Sequence, residues 1–328
     1  MAAQHNSNDT PPINDNPLIN VDFNPFPGLS SPHIQTILAC FAPAGSPPPS
    51  CPRIIPLQDG DALCCEISTP PSWTPQNRTV ILIHGLGGCH SASYMVRFSR
   101  KLYQQGFRAV RFNMRSCGSG RGLAKLPYHG GLTDDVHCAM KIIKDEIPTS
   151  PLSIVGYSLG GNIALKLASE LGESQSDLLD SMIAVCPPVN LAETAEIMAK
   201  PMNHLYNRYY MHHLAQFTKE WTQGKLFSTI YEFDNIVTAP RWGFESPAAY
   251  YKDSSSYDKL TKIKTPCHIL LAADDPFINY RSCADSERSS AVKVWVSAYG
   301  GHMGFFGWAD KDHRYYWLDK FLLDKLEA

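Results

Sequence analysis

Three short stretches carry side chains whose types and order could do acyl-transfer chemistry. GYSLGG (156–161) sets Ser158 between Gly156 and Gly160, the pattern G-x-S-x-G. LAADDP (271–276) offers Asp274 and Asp275, and YGGHMGFF (299–306) offers His302. A serine hydroxyl is a weak nucleophile at neutral pH. It needs a base to take its proton and an acid to hold that base in one tautomer. Ser158 as nucleophile, His302 as base and Asp275 as acid would supply this relay, in the chain order of a strand–turn–helix serine site. Asp275 is favoured over Asp274 because Ala272 lies three residues before it and the apolar turn Pro276-Phe277-Ile278 follows. Asp274 is then expected to hold its loop through backbone hydrogen bonds. The oxyanion of the tetrahedral intermediate needs N–H donors. The expected ones are Leu159, directly after the serine, and Leu86 in HGLGG (84–88).

Those side chains must be placed by regular elements. Ser153 to Val155 read as a buried strand and Asn162 to Glu170 as a helix, so Ser158 falls on a strand-to-helix corner. RIIPL and ALCCEIST pair around Asp59-Gly60, and TVILIHG (79–85) is an apolar run suited to a parallel strand buried on both faces. A helix over 91–105, the strand FRAVRFNM, a helix from Leu132, the strand SMIAVCPP, the strand PCHILLAADDP, a helix near 280–289, VKVWVSAY and a helix from about Arg314 complete the alternation. This is an α/β pattern with a mostly parallel sheet flanked by helices. It is broken at 189–265, a stretch rich in aromatics and too long for a bare loop. The expected layout is a flexible arm at 1–27, a core at 28–188, a helical lid insertion at 189–265 and the rest of the core at 266–328. Catalytic groups in such sheets gather at the carboxyl ends of the strands. His84 and His129 are therefore expected to support loops, and His5, His212, His213 and His313 to lie on the surface.

The chain resembles the YheT-type α/β-hydrolases, the AB hydrolase 4 family, from about residue 28 to its end. GLSSPHIQTIL, HGLGG, NMRSCGSG, YHGG, GYSLGGN, ADDPF and YGGHMGF carry the resemblance, as does the lid segment YEFDNIVTAPRWGFESPAAYY. It implies an α/β-hydrolase fold with an eight-stranded sheet, a serine hydrolase acting on carboxylic esters or lipids, and Ser158, Asp275 and His302 as its triad. Ser116 stands where the family usually has Gly, and Leu132 where an acidic residue is common. Two other functions share the features: an alcohol O-acyltransferase using the same triad, and a non-catalytic binding protein on the same fold.

Bulk properties agree with a small-molecule enzyme. A net charge of −2 with no basic block speaks against nucleic acid. The absence of a C-x-x-C or H-E-x-x-H motif speaks against a metal, and no cofactor is expected. The ten cysteines are scattered, as expected of free thiols in a reducing compartment. No apolar run reaches the ~18 residues of a membrane span, so a cytoplasmic protein is expected, with peripheral membrane contact allowed. Nothing in the sequence sets an oligomeric state.

Overall fold

Strand β4 (Thr79–Ile83) shows how the sequence builds the sheet. Its side chains alternate: Val80 and Leu82 face one helical layer, Ile81 and Ile83 the other. Both faces are therefore apolar, and the strand reads as a continuous hydrophobic run. The computed structural model describes residues 17–172, 176–309 and 316–327.

The remaining strands are β1 (Ile19–Val21), β2 (Cys51–Pro56), β3 (Ala62–Ser68), β5 (Arg108–Phe112), β6 (Leu152–Tyr157), β7 (Ser181–Val185), β8 (Cys267–Ala272) and β9 (Val292–Ser297). They form one sheet in the order β1-β9-β8-β7-β6-β4-β5-β3-β2. Strand β3 pairs antiparallel with β2 and β5, and the other strand pairs described are parallel. One face is covered by α3 (Thr133–Glu146) and α4 (Leu159–Leu171), through Val136, Met140, Ile163 and Leu167. The other is covered by α2 (Ser93–Gln104) and the C-terminal helix Trp317–Glu327, through Met95, Phe98, Leu322 and Leu326. Helix α1 (Pro32–Phe41) lies outside this pair, against α2 and the loop after β9.

Among the described residues the sheet has nine strands where eight were expected. The extra one, β1, comes from the stretch read as a flexible arm. Residues 1–16 of that arm lie outside the described residues, as do His5, His313 and the Arg314 start of the last helix. Ile19–Val21 instead pair parallel with Trp295–Ser297. Phe23 follows, 4% exposed, with its ring 5.5 Å from that of Phe305. The surrounding Asn, Asp and Pro hid this short apolar alternation. The helix expected near 280–289 is a single turn, Arg281–Ala284. Local side-chain bonds end it: Ser286 Oγ donates to Ser282 O at 2.6 Å, and Arg288 Nη1 to Ala284 O at 2.9 Å. Between β7 and β8 the chain is largely helical, with α5 (Leu191–Ala199), α6 (His204–Phe217), a π-helical turn at Asp234–Thr238 and a helix at Pro247–Ser254. Among the described residues no helix is long and apolar enough to cross a membrane.

A buried ion pair ties the C-terminal helix to α2. Arg97 Nε donates to both carboxylate oxygens of Asp319, at 3.1 and 2.9 Å, with the side chains 2% and 0% exposed. Asp319→Ala would strand the guanidinium in the core, so it should cost about 3–5 kcal/mol of stability by urea denaturation. A loss below about 1 kcal/mol, the range of an exposed pair, would contradict this.

Candidate active site

Ser158 lies between β6 and α4 with φ 50° and ψ −120°, a left-handed conformation for an L-residue. Its backbone N–H donates to Val185 O at 2.8 Å, which latches the corner to the end of β7. The flanking glycines are required by close approach. A Cβ on Gly156 would sit 2.5 Å from Gly160 O, and one on Gly160 would sit 2.5 Å from Ile83 O. The strain at Ser158 thus holds its hydroxyl above the sheet.

The structure brings Ser158, His302 and Asp275 together. His302 Nε2 is 2.9 Å from Ser158 Oγ, and its Nδ1 is 2.7 Å from Asp275 Oδ2. With a proton on Nδ1, the imidazole donates to the carboxylate and leaves Nε2 to accept from the hydroxyl. Asp275 Oδ1 accepts from Phe277 N and Ile278 N, at 3.1 and 3.0 Å, which fixes the carboxylate. The Phe277 ring lies 4.2 Å from the imidazole, centre to centre. Asp274 accepts from Gly301 N at 2.9 Å and holds the loop. Burial, with Asp275 beside it, holds the Asp274 carboxyl above its ordinary range.

Helix α1 supports this loop from outside, a role the sequence reading did not assign. His302 N donates to Thr36 Oγ1 at 2.9 Å. Gln35 accepts from Phe306 N at 2.7 Å and donates to Phe306 O at 3.0 Å. Gly301 runs so close to Pro32 O that any side chain would collide with it. The available signal was a Gln-Thr pair inside an otherwise apolar helix.

Leu86 and Leu159, the expected oxyanion donors, line one cavity with Ser158. Gly85 packs on the serine, where a Cβ would come within 3.1 Å of Ser158 Cβ. Gly85 N donates to Tyr94 Oη, Gly87 N to Tyr128 Oη and Gly88 N to Gly85 O. The N–H groups of Leu86 and Leu159 make no such bond among the described residues.

His84 and His129 are structural. His84 bridges Gly85 O and Met114 N, at 2.8 and 3.2 Å, and burial pulls it down to about 4. His129 accepts from Gly131 N at 3.2 Å and is pulled down to about 3, first by burial and then by Lys166 and Arg115. Both are neutral near pH 7. Arg115 braces its loop by pairing with Asp59, Asp61 and Asp135. Ser116 has φ 59°, a position that suits glycine. The buried Cys186 lies near Asp275 and His302, with ligand atoms within 4.8 Å of one another. Burial, and then the Asp275 charge, raise this thiol well above its ordinary value. It stays protonated, and Nδ1 of His302 is engaged by Asp275, so the cluster is a poor metal site.

Ser158 opens into a pocket between the strand ends and the insertion. Its walls are largely apolar, with Met198, Leu214, Phe217, Ile230, Phe233 and Phe277 among them. One carboxyl interrupts them. Asp234, in the π-helical turn, accepts from Thr238 Oγ1 at 2.6 Å and from Tyr251 Oη at 2.8 Å. Burial pushes it up to about 6.

The family model Hydrolase_4, described as serine aminopeptidase, S33, matches residues 74–294. The putative esterase YheT of Escherichia coli is 28% identical over 320 residues, covering 93% of each chain. The monoacylglycerol lipase of Saccharomyces cerevisiae is 28% identical, covering 69% of this chain and 54% of its own. Among solved structures, the Pyrococcus furiosus esterase Pf2001 aligns with TM-score 0.56 at 15% identity, covering 88% of this chain and 97% of its own. That level of likeness speaks for the fold alone.

Asp234 gives a test in pH. Its folded value of about 6 lies above the ordinary 3.8. Between roughly pH 4 and 6 the folded chain keeps a proton that the unfolded chain has lost, so this group's contribution to stability falls as pH rises and levels off above about 6. Asp234→Asn should lack that fall. Urea midpoints from pH 4 to 8 should therefore shift in the variant's favour through the window, and a pH-independent difference would contradict the assignment.

Proposed function

The chain belongs to the Hydrolase_4 family (serine aminopeptidase, S33), and on that premise we propose that it hydrolyses carboxylic esters of short- to medium-chain acyl groups through an acyl-enzyme on Ser158. One observation carries the reading: a Ser158–His302–Asp275 relay with links of 2.9 and 2.7 Å that opens directly into a mostly apolar cavity. The names of the relatives, esterase and monoacylglycerol lipase, point the same way.

His302 Nε2 takes the hydroxyl proton as Ser158 Oγ bonds to the ester carbonyl carbon. The carbonyl electron pair moves onto oxygen, where the N–H groups of Leu86 and Leu159 receive the charge. Each such donor typically contributes ~10²–10³ in rate. The intermediate collapses, the C–O bond to the alcohol breaks, and the alcohol leaves with the proton from His302. Water then attacks the acyl-enzyme with His302 again as base, which releases the carboxylic acid and restores Ser158. Asp275 holds the imidazole in its tautomer and stabilises the imidazolium throughout. The insertion at 189–265 would act as the lid, a reading supported by α5, α6 and the turn at Asp234, which line the cavity.

Ser158→Ala and His302→Ala should each remove nearly all p-nitrophenyl ester turnover with the circular dichroism spectrum unchanged. Asp275→Asn should lower kcat by about 10⁴, since the imidazole loses its orienting acceptor. Asp274→Asn should cost far less. More than a tenth of wild-type turnover in folded Ser158→Ala, or the reverse ranking of the aspartates, would overturn these roles.

The cavity sets a second expectation. Each methylene buried against its wall contributes about 0.8 kcal/mol, so kcat/KM should rise with acyl length until the cavity is full. The profile from acetate to palmitate esters, with and without ethanol as competing acceptor, tests this. A flat profile or a maximum at acetate would contradict it. Dominant ethyl-ester formation would move the reading to acyl transfer.

A further inference from the structure

Helix α1 is amphipathic in the inverted sense. Its buried side carries the polar pair Gln35 and Thr36, both spent on the His302 loop. Its solvent side carries Ile34, Ile37 and Phe41, at spacings of three and four, with exposures of 40%, 50% and 69%. Across a groove, the insertion presents Met202 and Leu205, 76% and 80% exposed. The two sides touch where the Phe41 and Tyr209 rings lie 6.3 Å apart and His33 Nδ1 meets Tyr206 Oη at 2.9 Å. Four large apolar side chains, Ile37, Phe41, Met202 and Leu205, are thus left in water around one groove, where a monomer gains nothing from them.

The groove leads to the reacting residues. His302 and Met303 line it. It shares Cys40, Tyr209, Tyr210 and Met303 with a second cavity that runs over Gly85–Gly88 to Ser158. The segment that supplies Met202 and Leu205 is basic: from Lys200 to His213 it carries Lys200 and Arg208 and no Asp or Glu, and α1 carries no acid, although the whole chain is at −2.

We infer that this face is a membrane-docking surface that seats on an anionic phospholipid bilayer. Phe41, Ile37, Met202 and Leu205 enter the headgroup–acyl boundary, and Lys200 and Arg208 meet lipid phosphates. An ester could then pass from the lipid phase along the groove without crossing water. A second copy of the chain is a poorer occupant. A two-fold contact would oppose like charges and seal the route to Ser158.

The test uses the full chain with vesicles of phosphatidylcholine, with and without phosphatidylglycerol, read by co-sedimentation. Binding to the anionic vesicles is expected, with a decline as salt rises. The double variant Phe41→Asp/Leu205→Asp should lower the partition coefficient at least about tenfold. Lys200→Glu/Arg208→Glu should remove the preference for anionic vesicles. Both should keep wild-type turnover of soluble p-nitrophenyl butyrate, which verifies their folding. Failure of wild-type protein to sediment, or undiminished binding by the first double variant, would overturn the inference. So would a wild-type dimer in light scattering that the first variant dissociates, with vesicles left unbound, since the face would then be a self-association surface. Vesicle binding by a protein with no ester turnover would keep the docking and sink the ester reading, so the two fail separately.

Discussion

A serine forced to φ 50° between two backbones that leave no room for a side chain is the constraint on which the site depends. Such a conformation costs about 1–3 kcal/mol and persists only when its surroundings over-determine it. Here the N–H of Ser158 is tied to Val185 O, α4 starts at the next residue, and the parallel neighbours β4 and β7 fix β6 on both sides. The geometry at the hydroxyl is thus inherited from the sheet. Loops supply only what approaches it.

Those loops are braced by different means. The loop after β8 is fixed by backbone donors closing on Asp275. Beyond Ser297 the loop after β9 makes isolated bridges, Gly307 with Pro25 and Phe306 with Tyr316, and a separate helix, α1, holds it through Thr36 and Gln35. HGLGG is held by tyrosine hydroxyls from two directions, Tyr94 on α2 and Tyr128 ahead of α3. The polar side of α1 is consumed in this work, and its apolar side is left facing solvent. One helix therefore links the placement of His302 to the character of the surface at the cleft mouth.

The sequence made the cluster of Ser158, His302 and Asp275 legible because such chemistry restricts residues to few types at strand ends. G-x-S-x-G reports a steric demand that the structure places at Gly160 against Ile83 O and Gly156 against Gly160 O. The pairing of β2 with β3 and the buried run of β4 were equally readable, since their patterns are local. What stayed hidden depends on distant contacts. β1 is three residues long and gains its identity only by meeting Trp295–Ser297. Gln35 and Thr36 look like misplaced polar residues until Phe306 and His302, some 270 positions away, are beside them. Asp234 received no role from the sequence, and its buried carboxyl is engaged by Thr238 and by Tyr251, which lies 17 positions on.

A nucleophilic Ser158 is the residue that becomes covalently modified during turnover. A fluorophosphonate reacts with a serine only where a base activates the hydroxyl and donors stabilise the phosphonyl oxygen. Intact-mass and peptide mapping after labelling should find one phosphonyl group per chain, on the peptide bearing Ser158, with ester turnover lost in proportion to its occupancy. Label on another residue, or full turnover in protein labelled to completion at Ser158, would contradict it.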